Sequence, residues 1–278
     1  MTRRWAGQAG GGCDDRSVAA VAVVGGGAAV RGGEEAARGL IAKAARSALR
    51  DAEEAVAKDA AKRGETRGAK EILGSMEKDL VGGLSRNEHA AVDAFAKRAA
   101  EAEKTITPRL ERIEKAIPGA ELAGKEFRLK SADSLRRKVA TDVVADGKKV
   151  GPSLANIKDA VRYTFKSSSA DYKRVTEDAI SKLRAEGFES LGKLKNTWGN
   201  EAGYKGINSV WRDTQTGQLI EVQFHSTESL AAKEGTHGIY DFQRLPGLHP
   251  VVRDTLGNLQ DGIFRMVERP PGAAEINW

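Results

Sequence analysis

The hydrophobic rhythm of the chain changes partway along. From Glu34 to about Ile117 the residues are mostly Ala, Glu, Lys and Arg, and Leu40, Ala44, Ala48, Ala52 and Val56 recur at four-residue intervals. That spacing predicts helices with one thin apolar face. Gly64, Gly68 and Gly82-Gly83 predict breaks, with Pro108 and Pro118 as later punctuation. A stripe made mainly of alanine buries little area, so these helices are expected to rest on the body that follows.

Past residue 125 the pattern is mixed. Asn156 to Phe165 reads as a strand, and Tyr172, Val175, Ala179 and Leu183 mark a helix that stops at Gly187. Phe188 to Thr197 predicts another strand. Ile207 to Trp211, the turn Asp213 to Gly217 and the run Gln218 to Phe224 predict a hairpin. Strands interspersed with helices give an α+β class. No internal repeat is visible.

Aromatic residues sharpen the division. Of fifteen (seven Phe, four Trp, four Tyr), only Trp5 and Phe95 precede residue 127, which places the main folded body after that point. Three parts are expected: a leader over 1–33, a helical region over 34–120 and a body over 121–278. The leader holds Arg3-Arg4, an apolar run from Val18 to Val24 and small residues, a pattern that resembles a secretory signal peptide. Asp14-Asp15 and Gly25-Gly26-Gly27 interrupt it, and a Gly/Ala tail on a cytoplasmic protein is the alternative.

With 278 residues, the chain can bury one sizeable core. No stretch approaches the roughly 18 consecutive apolar residues of a membrane-spanning helix. A single cysteine, Cys13, excludes an intrachain disulfide framework and a cysteine-based zinc cluster. Forty-five Lys and Arg against 39 Asp and Glu give +6, a balance that suits polyanionic partners and equally a solvated surface.

Candidate chemistry gathers in the body. Alternation along Gln218 to His225 sets Ile220, Val222 and Phe224 on one face and Glu221, Gln223 and His225 on the other. A strand this apolar belongs inside a sheet, which would turn its polar face to a cleft, although a surface strand shows the same alternation. Asp159 lies on the earlier strand segment and can meet Glu221 across the sheet. Paired oxygen ligands without cysteine or paired histidine favour Mg²⁺, and Mg²⁺ suggests phosphate chemistry. Salt bridges, Asp159 with Arg162 or Glu221 with a lysine, fit the same spacing. Residues 125–138 carry six basic side chains against two acidic ones. If Asp133 or Ser134 opens a helix, Ser134 and Lys138 stand one turn apart, with Arg128 and Lys130 projecting from the extended piece before it. This composes either a triphosphate clamp or a solvated helix face. Gly203-Tyr204-Lys205-Gly206-Ile207-Asn208 pairs flexible glycines with an aromatic ring, as in a loop that approaches a base or one that simply packs its ring.

Taken in order, Arg128-x-Lys130-x-x-x-Ser134-x-x-x-Lys138, Asp159, Gly203-Tyr204-x-Gly206-x-Asn208, Glu221-Val222-Gln223 and His237 resemble the synthetase domain of RelA/SpoT-like alarmone synthetases over roughly residues 125–245. The chain has no room for the hydrolase and regulatory domains of long members. With its leader it is most similar to the secreted ATP:nucleotide 3′-pyrophosphokinase branch, and next to the toxin synthetases. The resemblance implies a nucleotidyltransferase-like mixed sheet flanked by helices, with ATP as donor and a purine nucleotide as acceptor of its β,γ-pyrophosphate. It implies that Asp159 and Glu221 hold Mg²⁺, with Glu221 also as base. Arg128, Lys130 and Lys138 would hold the donor phosphates, supported by Ser134. Tyr204 would stack on the acceptor base and Gln223 would orient the attacking hydroxyl; Asn208 is a further candidate substrate contact, and His237 either contacts phosphate or caps a loop.

The sequence departs from the family pattern on the acceptor side. Ala202, Gly206 and Asn208 stand where Asn, Ser and His are usual, His225 stands where an Arg commonly follows Glu-x-Gln, and Arg162 follows Asp159 unusually closely. RNA, such as a tRNA 3′ end, is the alternative acceptor. A non-enzymatic basic RNA-binding protein is the alternative to catalysis.

Overall fold

The computed structural model describes residues 27–65, 67–244 and 248–278, with side chains from 33 onward. The leader, including Cys13, lies almost wholly outside the described residues. Helix α1 spans Gly27–Lys62, so helical structure begins inside the segment assigned to the leader. Its buried stripe is Ile41, Ala45, Ala48, Ala52, Val56 and Ala60, whereas Leu40 is 47% exposed. A strict four-residue interval drifts around a helix of 3.6 residues per turn, and the mixed spacing of three and four is what keeps to one face.

Two more N-terminal helices follow, α2 (Ala69–Gly82) and α3 (Arg86–Lys115), separated by the expected glycine breaks. Ser85 caps α3 by accepting from the Glu88 amide while Glu88 accepts from the Ser85 amide. Pro108 lies inside α3 and does not end it. Pro108 and Lys104, whose carbonyl its missing N–H would otherwise have bonded, are both exposed.

A five-stranded mixed sheet follows, in the order β1-β2-β5-β4-β3, formed by β1 (Glu121–Ala123), β2 (Val161–Ser167), β3 (Phe188–Asn196), β4 (Ile207–Asp213) and β5 (Leu219–Ser226). β2 and β5 pair in parallel and the other pairs are antiparallel. The expected hairpin is β4–β5. The strand expected from Asn156 starts only at Val161, because β5 begins at Leu219 and the residues before Ala160 have no partner strand. Ile157 and Ala160 owe their apolar character to burial in a loop.

One face of the sheet is apolar. Phe165 and Phe224 stack at 5.7 Å, and Tyr163 reaches Thr107 of α3 at 2.6 Å. After the short helices α4 (Ala132–Ala140) and α5 (Val150–Ala155), helix α6 (Tyr172–Ala185) buries Tyr172, Val175, Ala179 and Leu183, and the Tyr172 hydroxyl donates to the Phe224 carbonyl at 2.9 Å. On the other face, α7 (Thr227–Gln243) turns back directly from β5, with Ser226 as its cap. α8 (Pro250–Arg265) and α1 pack against α7. A Cβ on Gly235 of α7 would lie 2.5 Å from the Ala45 Cβ of α1, and one on Gly238 would lie 2.8 Å from Leu49. The small residues of both helices thus allow close approach, and the N-terminal helices share one apolar core with the sheet. Among the described residues no helix is long and apolar enough to cross a membrane.

Candidate active site

The site grows from the parallel register of β2 and β5, which sets Arg162 beside Glu221 and Thr164 beside Gln223. These positions share the polar face because side chains alternate along a strand. The antiparallel β4 adds Asn208 beside Gln223. Asp159 lies just before β2, where the 128–130 segment runs alongside: Arg162 N donates to the Arg128 carbonyl at 2.7 Å and Lys130 N to the Ala160 carbonyl at 2.9 Å.

That pairing brings the two lysines of the expected clamp onto the first acid. Lys130 Nζ donates to Asp159 Oδ2 at 2.6 Å, and Lys138 Nζ donates to Asp159 Oδ1 at 2.9 Å. Lys138 arrives from α4 (Ala132–Ala140), whose cap is Ser131 rather than Asp133 or Ser134. Salt bridging of Asp159 is therefore real, but through Lys130 and Lys138 instead of Arg162. Burial alone would raise the Asp159 pKa, yet the two ammonium groups outweigh it and bring it down to about 2.

Glu221 is shifted the other way. Burial raises its pKa, the nearby Arg162 charge works against that, and the Asp159 charge raises it further. Gln223 Nε2 donates to Glu221 Oε2 at 3.1 Å, and Lys233 Nζ of α7 donates to Gln223 Oε1 at 2.7 Å. Burial and the Arg162 charge push Lys233 down to about 8. Arg162 and Lys233 are thus members of the site that the sequence reading did not include among its candidates. Lys233 sits ten residues past Gln223 on a helix whose direction only the tertiary structure reveals. Arg162 was visible as an irregular spacing and is explained by the β2–β5 register.

The remaining candidates divide. Tyr204 donates its hydroxyl hydrogen to Asn208 Oδ1 at 2.8 Å and lies 2.7 Å from His225 Nε2. Its ring meets His225 and Phe264 edgewise at 5.3 and 5.8 Å. Arg128 is drawn towards α3, where its Nε donates to Glu103 Oε1 at 2.5 Å. Ser134 receives hydrogen bonds from Ser131 Oγ and Arg137, both at 3.0 Å. His237 is not gathered with the others: its side chain is 74% exposed and its ring lies 3.7 Å from Asp241.

Among the described residues no group of three or more His, Cys, Asp and Glu forms a metal cage. Asp159 and Glu221 still fit Mg²⁺, which commonly takes one or two carboxylates and completes its octahedron with water and substrate phosphates. The Asp159 charge reaching Glu221 supports that fit, since a cation between them would relieve it. Two surface hollows of about 490 and 790 Å³ lie elsewhere, lined in part by Arg112 and Lys182 and by Phe95 and Leu154. Neither is lined by the site residues described above.

No protein-family model and no curated protein matches the chain. Among solved structures, the chain is similar to the small alarmone synthetase 1 from Bacillus subtilis bound to its product pppGpp. The identity is 14%, over 63% of this chain and 90% of that one, with a TM-score of 0.44. A second structure of the small alarmone synthetase 1 from Bacillus subtilis gives 14% identity over 63% of this chain and 91% of that one, with a TM-score of 0.44. A protein described as smu.1046c from Streptococcus mutans UA159 gives 13%, 64%, 90% and 0.41.

Proposed function

We propose that the chain transfers the β,γ-pyrophosphate of ATP to the 3′-hydroxyl of a purine nucleotide, with AMP as the second product. The observation that carries this reading is the convergence of Lys130 and Lys138 on Asp159, beside Glu221 with its raised pKa. Phosphoryl-type transfer depends on positioning and charge stabilisation more than on covalent chemistry of the protein. In the reaction the acceptor 3′-oxygen bonds to the β-phosphorus, the bond from that phosphorus to the α–β bridging oxygen breaks, and that oxygen leaves on AMP.

Each residue then has a task. Lys130 and Lys138 exchange Asp159 for donor phosphate oxygens. Glu221 takes the proton of the 3′-hydroxyl, and a raised pKa brings a carboxylate closer to the value a general base needs near neutral pH. Gln223 holds Glu221 in orientation and is itself held by Lys233. Mg²⁺ on Asp159 and Glu221 would supply charge neutralisation for the phosphates.

With γ-³²P ATP, Mg²⁺ and separate AMP, ADP, ATP, GDP and GTP acceptors, a new labelled nucleotide is expected on thin-layer chromatography. Asp159→Asn and Glu221→Gln should each lower its formation by at least about 10²-fold. Absence of labelled nucleotide with every acceptor would overturn the reading. An RNA 3′ end as acceptor is the second reading, favoured by Gly206, Asn208 and His225 on the acceptor side and by the +6 charge. Label on RNA and not on free nucleotide selects it. Secretion belongs to the same proposal, and a mature N-terminus near residue 33 on extracellular protein, read by mass spectrometry, supports it.

A further inference from the structure

Three departures from the family pattern occupy one place in the fold. Gly206 ends the 197–206 loop, Asn208 is the second residue of β4 and His225 lies near the end of β5, and Tyr204 joins them. The Tyr204 hydroxyl hydrogen is committed to Asn208 Oδ1 at 2.8 Å. His225 Nε2, 2.7 Å from the same oxygen, must then be the donor in that contact, because a phenol has one hydrogen. With hydrogen on Nε2, Nδ1 of the neutral ring carries a lone pair and accepts from the Ser229 hydroxyl at 2.9 Å, which takes that hydroxyl's one hydrogen in preference to its longer 3.2 Å contact with the Ser226 carbonyl. The imidazole has no exposed surface, and burial holds its pKa well below the ordinary value. Proton counting thus assigns the neutral Nε2–H tautomer.

Sterics tie the third departure to the same unit. A Cβ at Gly206 would stand 2.9 Å from His225 Cε1 and 3.0 Å from the Tyr204 hydroxyl. The imidazole and the phenol fill the space a serine would use, so a glycine at 206 and a histidine at 225 accommodate each other. Phe264 of α8 closes against the tyrosine ring at 5.8 Å.

We infer that His225 is a positioning residue that, with Gly206 and Asn208, locks the Tyr204 ring in one orientation for the acceptor nucleobase. This rests on the proposed reading of the site as one that takes a nucleotide acceptor. The lock acts on the acceptor and not on ATP, because Lys130 and Lys138, the donor contacts, belong to a different segment.

Two measurements on the full chain test it. In ¹⁵N-histidine-labelled protein, two-bond ¹H–¹⁵N correlations should show His225 neutral with hydrogen on Nε2, assigned by the signal lost in His225→Gln. Tyr204→Phe should shift that resonance. Hydrogen on Nδ1, or a charged ring, would overturn the lock. In steady-state kinetics, His225→Leu and Tyr204→Phe should each raise the acceptor KM about three- to tenfold and leave the ATP KM unchanged. The two effects should be less than additive together, and His225→Gln, which keeps a donor, should recover much of the loss. Tyr204→Phe removes one buried oxygen and keeps the ring, so it remains informative if His225→Leu folds poorly. An unchanged acceptor KM in active variants, or ATP and acceptor KM rising together, would overturn this inference and leave the transfer reaction standing. Wild-type protein that labels no acceptor would overturn the transfer reading itself and the acceptor role with it.

Discussion

Lys233 is the residue whose ionisation most directly sets a pH limit. At neutral pH its ammonium is held in a half-buried place that depresses its pKa to about 8, against an ordinary value of 10.5. The unfolded chain therefore binds more protons between about pH 8 and 10.5, and the contribution of this group to stability improves as pH rises through that window. Activity should move the opposite way if the charge holds Gln223 and, through it, Glu221. The kcat/KM profile should fall above about pH 8, and Lys233→Arg, which stays charged, should move that limb upward. Lys233→Met should lose activity yet raise the pH 7 melting temperature by about 2–4 °C. A lower melting temperature would show that the ammonium stabilises the fold. At this scale the acids, Gln223, Lys130 and Lys138 were legible in the sequence because alternation and one-turn spacing are local. Lys233 was not, because nothing in the order of residues says where α7 lies over the sheet.

The contact of α1 with α7 is decided by the absence of side chains. Gly235→Val would drive new atoms into the Ala45 methyl, since even its Cβ would stand 2.5 Å from the Ala45 Cβ. The expected cost is about 1–3 kcal/mol, read as a lower urea midpoint. Gly262 of α8 gives the opposite expectation, as nothing lies within 4 Å of a Cβ there and the residue is exposed. Gly262→Ala should gain about 0.5–1 kcal/mol from helix propensity. Opposite-signed results from these two glycine-to-larger changes would establish that packing and not backbone freedom governs α1–α7. The strands β3 to β5 and helix α6 were readable because their apolar periods are regular. The α1 stripe was readable in kind and misplaced at Leu40, and the β2 start was misplaced because a buried loop at Ile157 and Ala160 shows the same apolar alternation as a strand.

The whole molecule is tied across its length by a pair no local pattern announces. Arg109 of α3 meets Asp213 at the end of β4 at 2.7 Å, with both side chains almost completely buried. Arg109 also lies over the Phe188 ring at 4.5 Å. Burial would raise the Asp213 pKa, but the Thr216 and Arg109 hydrogen bonds bring it below the usual carboxylate value. Arg109→Met would leave that carboxylate buried without its counter-charge, at a cost of about 3–5 kcal/mol in chemical denaturation. Because the folded pKa is depressed, the contribution is present above the unfolded value near 3.8 and is lost as pH falls below it. The α+β class could be read from the chain, whereas the union of its N-terminal helices with the sheet depends on contacts between residues far apart in sequence, Thr107 with Tyr163 and Arg109 with Asp213.

The direct passage from β5 into α7, capped by Ser226 without an intervening loop, divides the chemistry into a fixed half and an adjustable half. Glu221, Gln223 and His225 on the strand and Ser229 and Lys233 on the helix move as one rigid elbow. Lys130 and Lys138 belong to a different piece of chain, linked to that elbow through β2 and Asp159. In the proposed transfer, any fitting of the site to a long phosphate chain would fall to the lysine-bearing side, while Glu221 and the residues that orient it would keep their geometry. Amide hydrogen exchange should accordingly be slowest along residues 219–239 and faster along 124–138, and nucleotide should slow the second stretch more than the first.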